Sequence, residues 1–277
     1  MRSGAQFARE ERAEKQSAVE GREAMNVTTA PAMQFRAGRL RGEHRFFSGA
    51  ALAMIGVIAF GFAPSFYLRG VISPRVPMEP LILRVLLHGI LFSGFLLLFA
   101  IQVWLIAAGR TDVHRRLGRL AFVMVPLMVV VGIVTALGGV TRPLTAPPGL
   151  SPLSWLAVPL LDVPVFGTLL ALGLTNRFRP TLHKRYMYVA MTDMMIPGFG
   201  RMSLPVPVHF YGLMSQIILP SLFLIALIAW DVRSMGRPQR VSLGAGAVVL
   251  AVAAAKPLIW STPAWLHFAG WISAPFR

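Results

Sequence analysis

Long uncharged stretches alternate with short basic segments along most of the chain. Three stretches lack charged residues altogether, at 46–68, 85–109 and 120–141, and a fourth at 209–230 does too. Two more, within 143–176 and 241–260, hold one charged residue each. A helix needs about 20 apolar residues to cross the hydrocarbon core of a bilayer. The pattern therefore predicts an all-α protein, a polytopic bundle of membrane helices.

A further helix is predicted over residues 182–202, where the pattern is weaker. From Tyr186 to Gly200 there are 15 residues, which as helix would reach about 22 Å. The segment crosses the membrane only if its helix begins earlier, near Leu182. The alternative is a re-entrant segment that returns to its own side. With this helix the predicted count is about seven transmembrane helices.

Composition and charge narrow the class of protein. The chain is 55% apolar and 14% charged, against about 25% charged in soluble domains, so a soluble enzyme is excluded. Cysteine is absent from the sequence, which excludes disulfides and thiolate metal sites. The net charge of +16 arises from bases between apolar stretches, which favours the bilayer over nucleic acid as partner. No phosphate loop or hydrolase motif occurs, which favours a protein that is not an enzyme.

The basic residues also predict an orientation. Seven spans place the near tail (36–45) and the loops 109–119, 176–185 and 231–240 on one side, with 15 Lys and Arg against six on the other. Loops rich in Lys and Arg stay in the cytoplasm. The predicted location is the bacterial cytoplasmic (inner) membrane, with the N-terminus in the cytoplasm and the C-terminus outside.

Three regions follow from these patterns. Residues 1–45 carry six acids and nine bases with little apolar periodicity, which predicts a disordered cytoplasmic tail. Residues 46–260 form the transmembrane bundle. Residues 261–277 hold Trp265, Phe268, Trp271 and Phe276, and this aromatic content predicts an interfacial segment on the outer leaflet.

Four histidines at span ends suggest a cofactor. His88 and His114 are 26 residues apart, as are His183 and His209. The predicted topology places His88 and His209 at the outer side and His114 and His183 at the inner side. Two His on different helices at one depth can hold a b-type haem axially, and two such pairs can carry electrons across a membrane. The alternative is that His114 and His183 belong to basic loops beside lipid phosphates, while His88 and His209 form hydrogen bonds at the interface. The arginines next to His114 favour this shallow position.

Two carboxylates interrupt apolar segments and suggest a different activity. Asp162 and Asp193 lie within the fourth and fifth predicted spans, each far along the chain from a basic residue. Such residues usually face the bundle interior or a wet cavity. One hypothesis is a proton-coupled transporter or permease that uses both as a proton or substrate relay. A structural alternative for Asp162 is that it bonds a backbone group freed by Pro164. For the protein as a whole, a third class of function is a non-catalytic membrane scaffold.

Short motifs around two basic loops suggest relatives. The chain carries His88-Gly89 at a helix start and His114-Arg115-Arg116-Leu117-Gly118 at a turn. In these it resembles a family of uncharacterised bacterial multi-pass membrane proteins, and the likeness extends to His183-Lys184-Arg185. This resemblance implies location and span count. The chain is also similar, more weakly, to b561-type cytochromes, which implies haem ligation by His88, His114, His183 and His209 and no metal other than haem iron.

Overall fold

The computed structural model describes Gln16 and residues 41–72, 78–202 and 208–277. At residues 208, 209 and 211 the backbone alone is described. The predicted disordered tail therefore lies outside the described residues, apart from Gln16 and the first turn of a helix that begins at Arg41.

The described residues form helices and contain no β-strand. The main helices are α1 (Arg41–Tyr67), α2 (Leu83–Ala107), α3 (Thr111–Thr141), α4 (Pro152–Thr175), α5 (Pro180–Phe199), α6 (Met214–Met235), α7 (Arg240–Ile259) and α8 (Pro263–Ser273). Six of them, all except α5 and α8, are long and apolar enough to cross a membrane. The prediction of an all-α polytopic membrane protein is confirmed at this level, with six such helices in the described part of the chain.

Helix α3 begins nine residues before the predicted start of its apolar stretch. Gly109 adopts a φ of +73°, a left-handed conformation that glycine enters without a steric penalty. The turn there ends α2, and a new helix begins at Thr111. The basic residues Arg115 and Arg116 therefore lie on the first turns of α3, because a charged residue interrupts hydropathy without interrupting a helix.

Helix α5 is the least apolar of the long helices and the most enclosed. It begins at Pro180 and runs for 20 residues, so it starts early enough to meet the requirement for a span. It packs against α4, α6 and α7, and it meets α1 where Gly61 approaches Gly198. Eleven of its residues are buried. Its polar side chains are compatible with the bilayer because they face protein and not lipid.

Contacts between helix termini define two ends of the bundle. At one end, which we call the basic end, His114 near the start of α3 faces His183 near the start of α5, and Arg185 of α5 pairs with Asp231 of α6. At the opposite end, Arg84 at the start of α2 donates to the Gly138 carbonyl oxygen of α3 at 2.6 Å.

The opposite end also holds the last turn of α5 and the C-terminal helix. The Arg201 guanidinium, just beyond α5, lies 4.4 Å from the centre of the Phe62 ring of α1. Helix α8 packs on the first turn of α4, where Trp265 donates to the Leu153 carbonyl oxygen at 2.9 Å. Trp271 of α8 stays 71% exposed, a placement typical of an interfacial aromatic residue.

Candidate functional site

A lysine is completely buried among membrane helices. Lys256 of α7 has no exposed surface, and its ammonium lies 2.5 Å and 2.7 Å from the two carboxylate oxygens of Asp162 on α4. The same Nζ atom donates to the amide oxygen of Gln216 on α6 at 3.2 Å. Three helices thus contribute polar groups to one point. Asp162 forms an ion pair with this lysine. Its described contacts do not include the alternative, a hydrogen bond to a backbone group freed by Pro164.

A second carboxylate joins this group from the central helix. Asp193 of α5 is 3% exposed and lies within electrostatic range of both Asp162 and Lys256. The contacts of the described residues include no hydrogen bond to its carboxyl group. The two acids singled out by sequence are therefore brought together, on α4 and α5. We call Lys256, Asp162, Asp193 and Gln216 the buried ionic cluster.

Local backbone structure explains how the cluster assembles. Gln216 lies in a π-helical segment, Met214–Ile218, that leads into α6; such segments re-aim side chains and occur often at functional sites. Lys256 stands 16 residues after the start of α7, about 24 Å along its axis. The cluster therefore lies in the half of the bundle away from the basic end. Asp162 keeps 13% exposure of its side chain, so the cluster is not sealed.

A second buried ion pair ties three helices together at the basic end. Arg185 of α5 donates through Nε to Asp231 Oδ1 at 2.9 Å, and its Nη2 bonds the same oxygen. The other carboxylate oxygen of Asp231 accepts from the Ser242 hydroxyl at 2.6 Å and from the Gln239 backbone N–H at 3.2 Å. Arg185 is 1% exposed and Asp231 is fully buried. We call these four residues the basic-end network.

A stripe of buried polar residues on α5 runs from this network to the cluster. Arg185, Tyr188 and Thr192 share one face of α5, because residues three, four or seven positions apart align on a helix. Asp193 is the next residue after Thr192. The Tyr188 hydroxyl donates to the Phe223 carbonyl oxygen at 3.0 Å, and the Thr192 hydroxyl donates to the Tyr188 carbonyl oxygen at 3.0 Å. A hydroxyl group can accept a hydrogen bond as well as donate one.

The two histidines assigned to the inner side lie beside each other. The ring centres of His114 and His183 are 6.3 Å apart, and the rings are nearly perpendicular, at 84°. His183 donates through Nδ1 to the Gly173 carbonyl oxygen at 2.7 Å, and Nδ1 of His114 lies 3.3 Å from the Gln102 carbonyl oxygen. A histidine whose Nδ1 is held by backbone offers Nε2 to a metal. Both rings are part-buried.

Of the two histidines assigned to the outer side, the structure describes the side chain of His88 alone. His88 stacks on Phe92 with ring centres 4.2 Å apart, and its Nδ1 atom is buried without a hydrogen-bond partner within the described residues. The side chain of His209 lies outside the described residues. The predicted pairing of His88 with His209 therefore stays a prediction. Among the described residues, no group of three or more His, Asp or Glu side chains could hold a metal ion.

Sequence reasoning missed Lys256, Gln216 and the Arg185–Asp231 pair. Lys256 was visible as an isolated base near the end of an apolar stretch, and intramembrane charges usually pair with one another. That rule could have matched it with Asp162. Arg185 and Asp231 stand at the edges of apolar stretches, where a charge normally marks a loop.

Comparison with known proteins gives no relative. No protein-family model matches the chain, and no curated protein and no solved structure is detectably similar to it.

Proposed function

We propose that the chain is a seven-span protein of the bacterial cytoplasmic membrane that translocates protons, with solute transport coupled to them, through the buried ionic cluster. The observation that carries this proposal is the fully buried Lys256, bonded to Asp162 with Asp193 beside them. Ionisable side chains inside a membrane bundle are costly to insert and usually mark ion or proton pathways.

The charge balance of the cluster favours an exchangeable proton. The cluster holds one ammonium and two carboxyl groups, of which Asp162 contacts the ammonium and Asp193 lies within electrostatic range of it. With both carboxyls ionised the cluster carries a net negative charge, which is expensive in a low-dielectric interior. With one proton on the carboxyl pair it is neutral. Loss and recapture of that proton is the elementary step we assign to Asp193, with Lys256 holding Asp162 in place.

The stripe on α5 supports a route between the cluster and the basic end. Tyr188 and Thr192 lie between Arg185 and Asp193 in the sequence of α5, and both side chains are buried. Hydroxyl groups both accept and donate hydrogen bonds, so they can pass a proton when water enters between them. Partial exposure of Asp162 offers a second access, and the two together form a path through the bundle.

The span count and orientation belong to this proposal. Helix α5 has contacts at both ends of the bundle, through His183 and through the residues just beyond Phe199, and 20 residues reach about 30 Å. We therefore count it as the fifth of seven spans. The basic end, rich in Arg and Lys, faces the cytoplasm, which places the N-terminus inside and α8 on the outer leaflet.

Proton flux in liposomes tests the proposed function. Purified protein is reconstituted into vesicles that hold a pH-sensitive dye, and a potassium gradient with valinomycin drives proton entry. We expect the parent to acidify the vesicles and Asp193→Asn to lose at least tenfold in rate, because Asn keeps the shape and cannot release a proton. Asp112→Asn is the matched control, since Asp112 is exposed at 60% in a surface pair with Arg110. Equal flux in all three proteins would overturn the proposal.

Electron transfer is the second candidate, and the proximity of His114 and His183 favours it. The donor chemistry fits a haem iron, because two imidazoles from separate helices come together and the Nδ1 atom of His183 donates to a backbone oxygen. A bound haem would supply one-electron chemistry. Crossing the membrane requires a second cofactor at His88 and His209, whose pairing is undescribed, so this candidate ranks below proton translocation.

An absorbance spectrum tests this second candidate. Protein expressed with ample haem should show a Soret band and a reducible α band, and His114→Ala or His183→Ala should each remove one haem equivalent. His44→Ala, a change outside the four predicted ligands, is the control. A colourless preparation would exclude the haem hypothesis and leave the proton hypothesis standing.

A further inference from the structure

A groove separate from the buried ionic cluster opens between α4 and α7. Its volume is about 410 Å³, and Tyr186 of α5 contributes to its lining. The α4 wall includes Thr168 and Leu172, and the α7 wall includes Gly244 and Val248. Leu172 is 38% and Val248 49% exposed. Because these walls lie on two apolar spans, the groove opens toward the hydrocarbon of the bilayer.

The length of the groove matches one leaflet. It extends along α7 from Arg240 to Val248, which is about 12 Å of helix. The hydrocarbon of one leaflet is about 15 Å thick, half of the 30 Å core. Gly244 leaves open space, since a Cβ built there meets no atom within 4 Å. A slender apolar chain that enters from one leaflet therefore fits the groove.

A cation stands where the groove reaches the basic end. Arg240 is exposed and begins α7, and among the described residues no carboxylate pairs with it. The groove thus combines an apolar slot with an anion-binding mouth.

We propose that this groove is a binding site for an anionic phospholipid, with one acyl chain between α4 and α7 and the phosphate at Arg240. Charge complementarity selects this occupant. A neutral apolar molecule would leave Arg240 unused, whereas a lipid with net negative charge satisfies both parts of the groove. Basic pockets between membrane helices bind anionic headgroups in this way.

Native mass spectrometry of the full chain in detergent tests the site, with palmitoyl-oleoyl phosphatidylglycerol as probe and the phosphatidylcholine of the same chains as comparison. We expect one phosphatidylglycerol to bind about fivefold more tightly than phosphatidylcholine, the preference that one arginine near a membrane surface confers. Arg240→Gln should remove this preference. Gly244→Leu should weaken binding of both lipids, because leucine fills the slot.

Two matched variants separate the groove from general surface effects. Arg237→Gln removes a neighbouring exposed charge outside the groove lining, and Gly56→Leu adds the same side chain at an open position of α1. Both should bind lipid as the parent does. The proposal is wrong if Gly244→Leu binds phosphatidylglycerol normally, or if Arg237→Gln loses the lipid preference as fully as Arg240→Gln. Neither outcome depends on proton flux, so the lipid site and the proposed function fail independently.

Discussion

Replacing Lys256 with Met should destabilise the protein by about 3–5 kcal/mol, the range measured when one partner of a buried ion pair is removed. Lys256 is fully buried, and its ammonium contacts both oxygens of Asp162. Without it, Asp162 loses its cation, while the Asp193 carboxyl group lies within electrostatic range of Asp162. A melting curve from tryptophan fluorescence in detergent, taken with a denaturant series, measures the loss.

A double variant gives this prediction its control. Lys256→Met combined with Asp162→Leu removes both charges and replaces them with apolar side chains of similar size, a change that is often neutral. Most of the stability should return. The surface variant Arg110→Met breaks an exposed pair and should cost less than about 1 kcal/mol. If Lys256→Met melts like Arg110→Met, the ammonium is not paired as the structure has it.

Removing Asp231 should be equally damaging, at the other end of the bundle. Asp231→Ala leaves the Arg185 guanidinium buried without its carboxylate. It also removes the hydrogen-bond acceptor of the Ser242 hydroxyl and of the Gln239 backbone N–H. We expect a loss of about 3–5 kcal/mol, measured in the same melting experiment. Arg185→Lys should also destabilise, because an ammonium cannot bond both Asp231 and the Thr181 carbonyl oxygen with the planar geometry of arginine.

Two serines provide a matched pair for this network. Ser242→Ala removes a hydrogen bond to a buried carboxylate and should cost about 1.5–3 kcal/mol. Ser234→Ala removes a bond to a backbone carbonyl oxygen one turn back in its own helix, and that carbonyl keeps its place in the helix. Its effect should be below about 0.5 kcal/mol. Equal effects for the two serines would contradict a structural role for the network.

Hydropathy predicted the six apolar helices and was least informative about α5, the helix that the others enclose. Six helices follow from apolar length alone. Helix α5 escapes this criterion because it is enclosed by protein, so its sequence includes Arg185, Thr192 and Asp193 without exposure to lipid. The more central a helix is in a membrane bundle, the less its composition resembles that of a span.

Some residues of the candidate site could likewise be predicted from the sequence, and others could not. The burial cost of a carboxylate singled out Asp162 and Asp193, and the predicted topology placed His114 and His183 at one end, where they meet. Lys256 stands 94 residues from Asp162 along the chain, so only the general rule that intramembrane charges pair with one another could have matched the two. Only the packing of α4 against α7 brings them into contact.

The central claim is that the buried ionic cluster exchanges protons and does more than hold helices together. Proton flux through the double variant Lys256→Met with Asp162→Leu tests this claim most directly. This protein should fold and melt close to the parent, so a loss of activity cannot be attributed to unfolding. The account predicts a stable protein whose vesicles acidify no faster than protein-free liposomes. A stable double variant that acidifies its vesicles at the parental rate would contradict it.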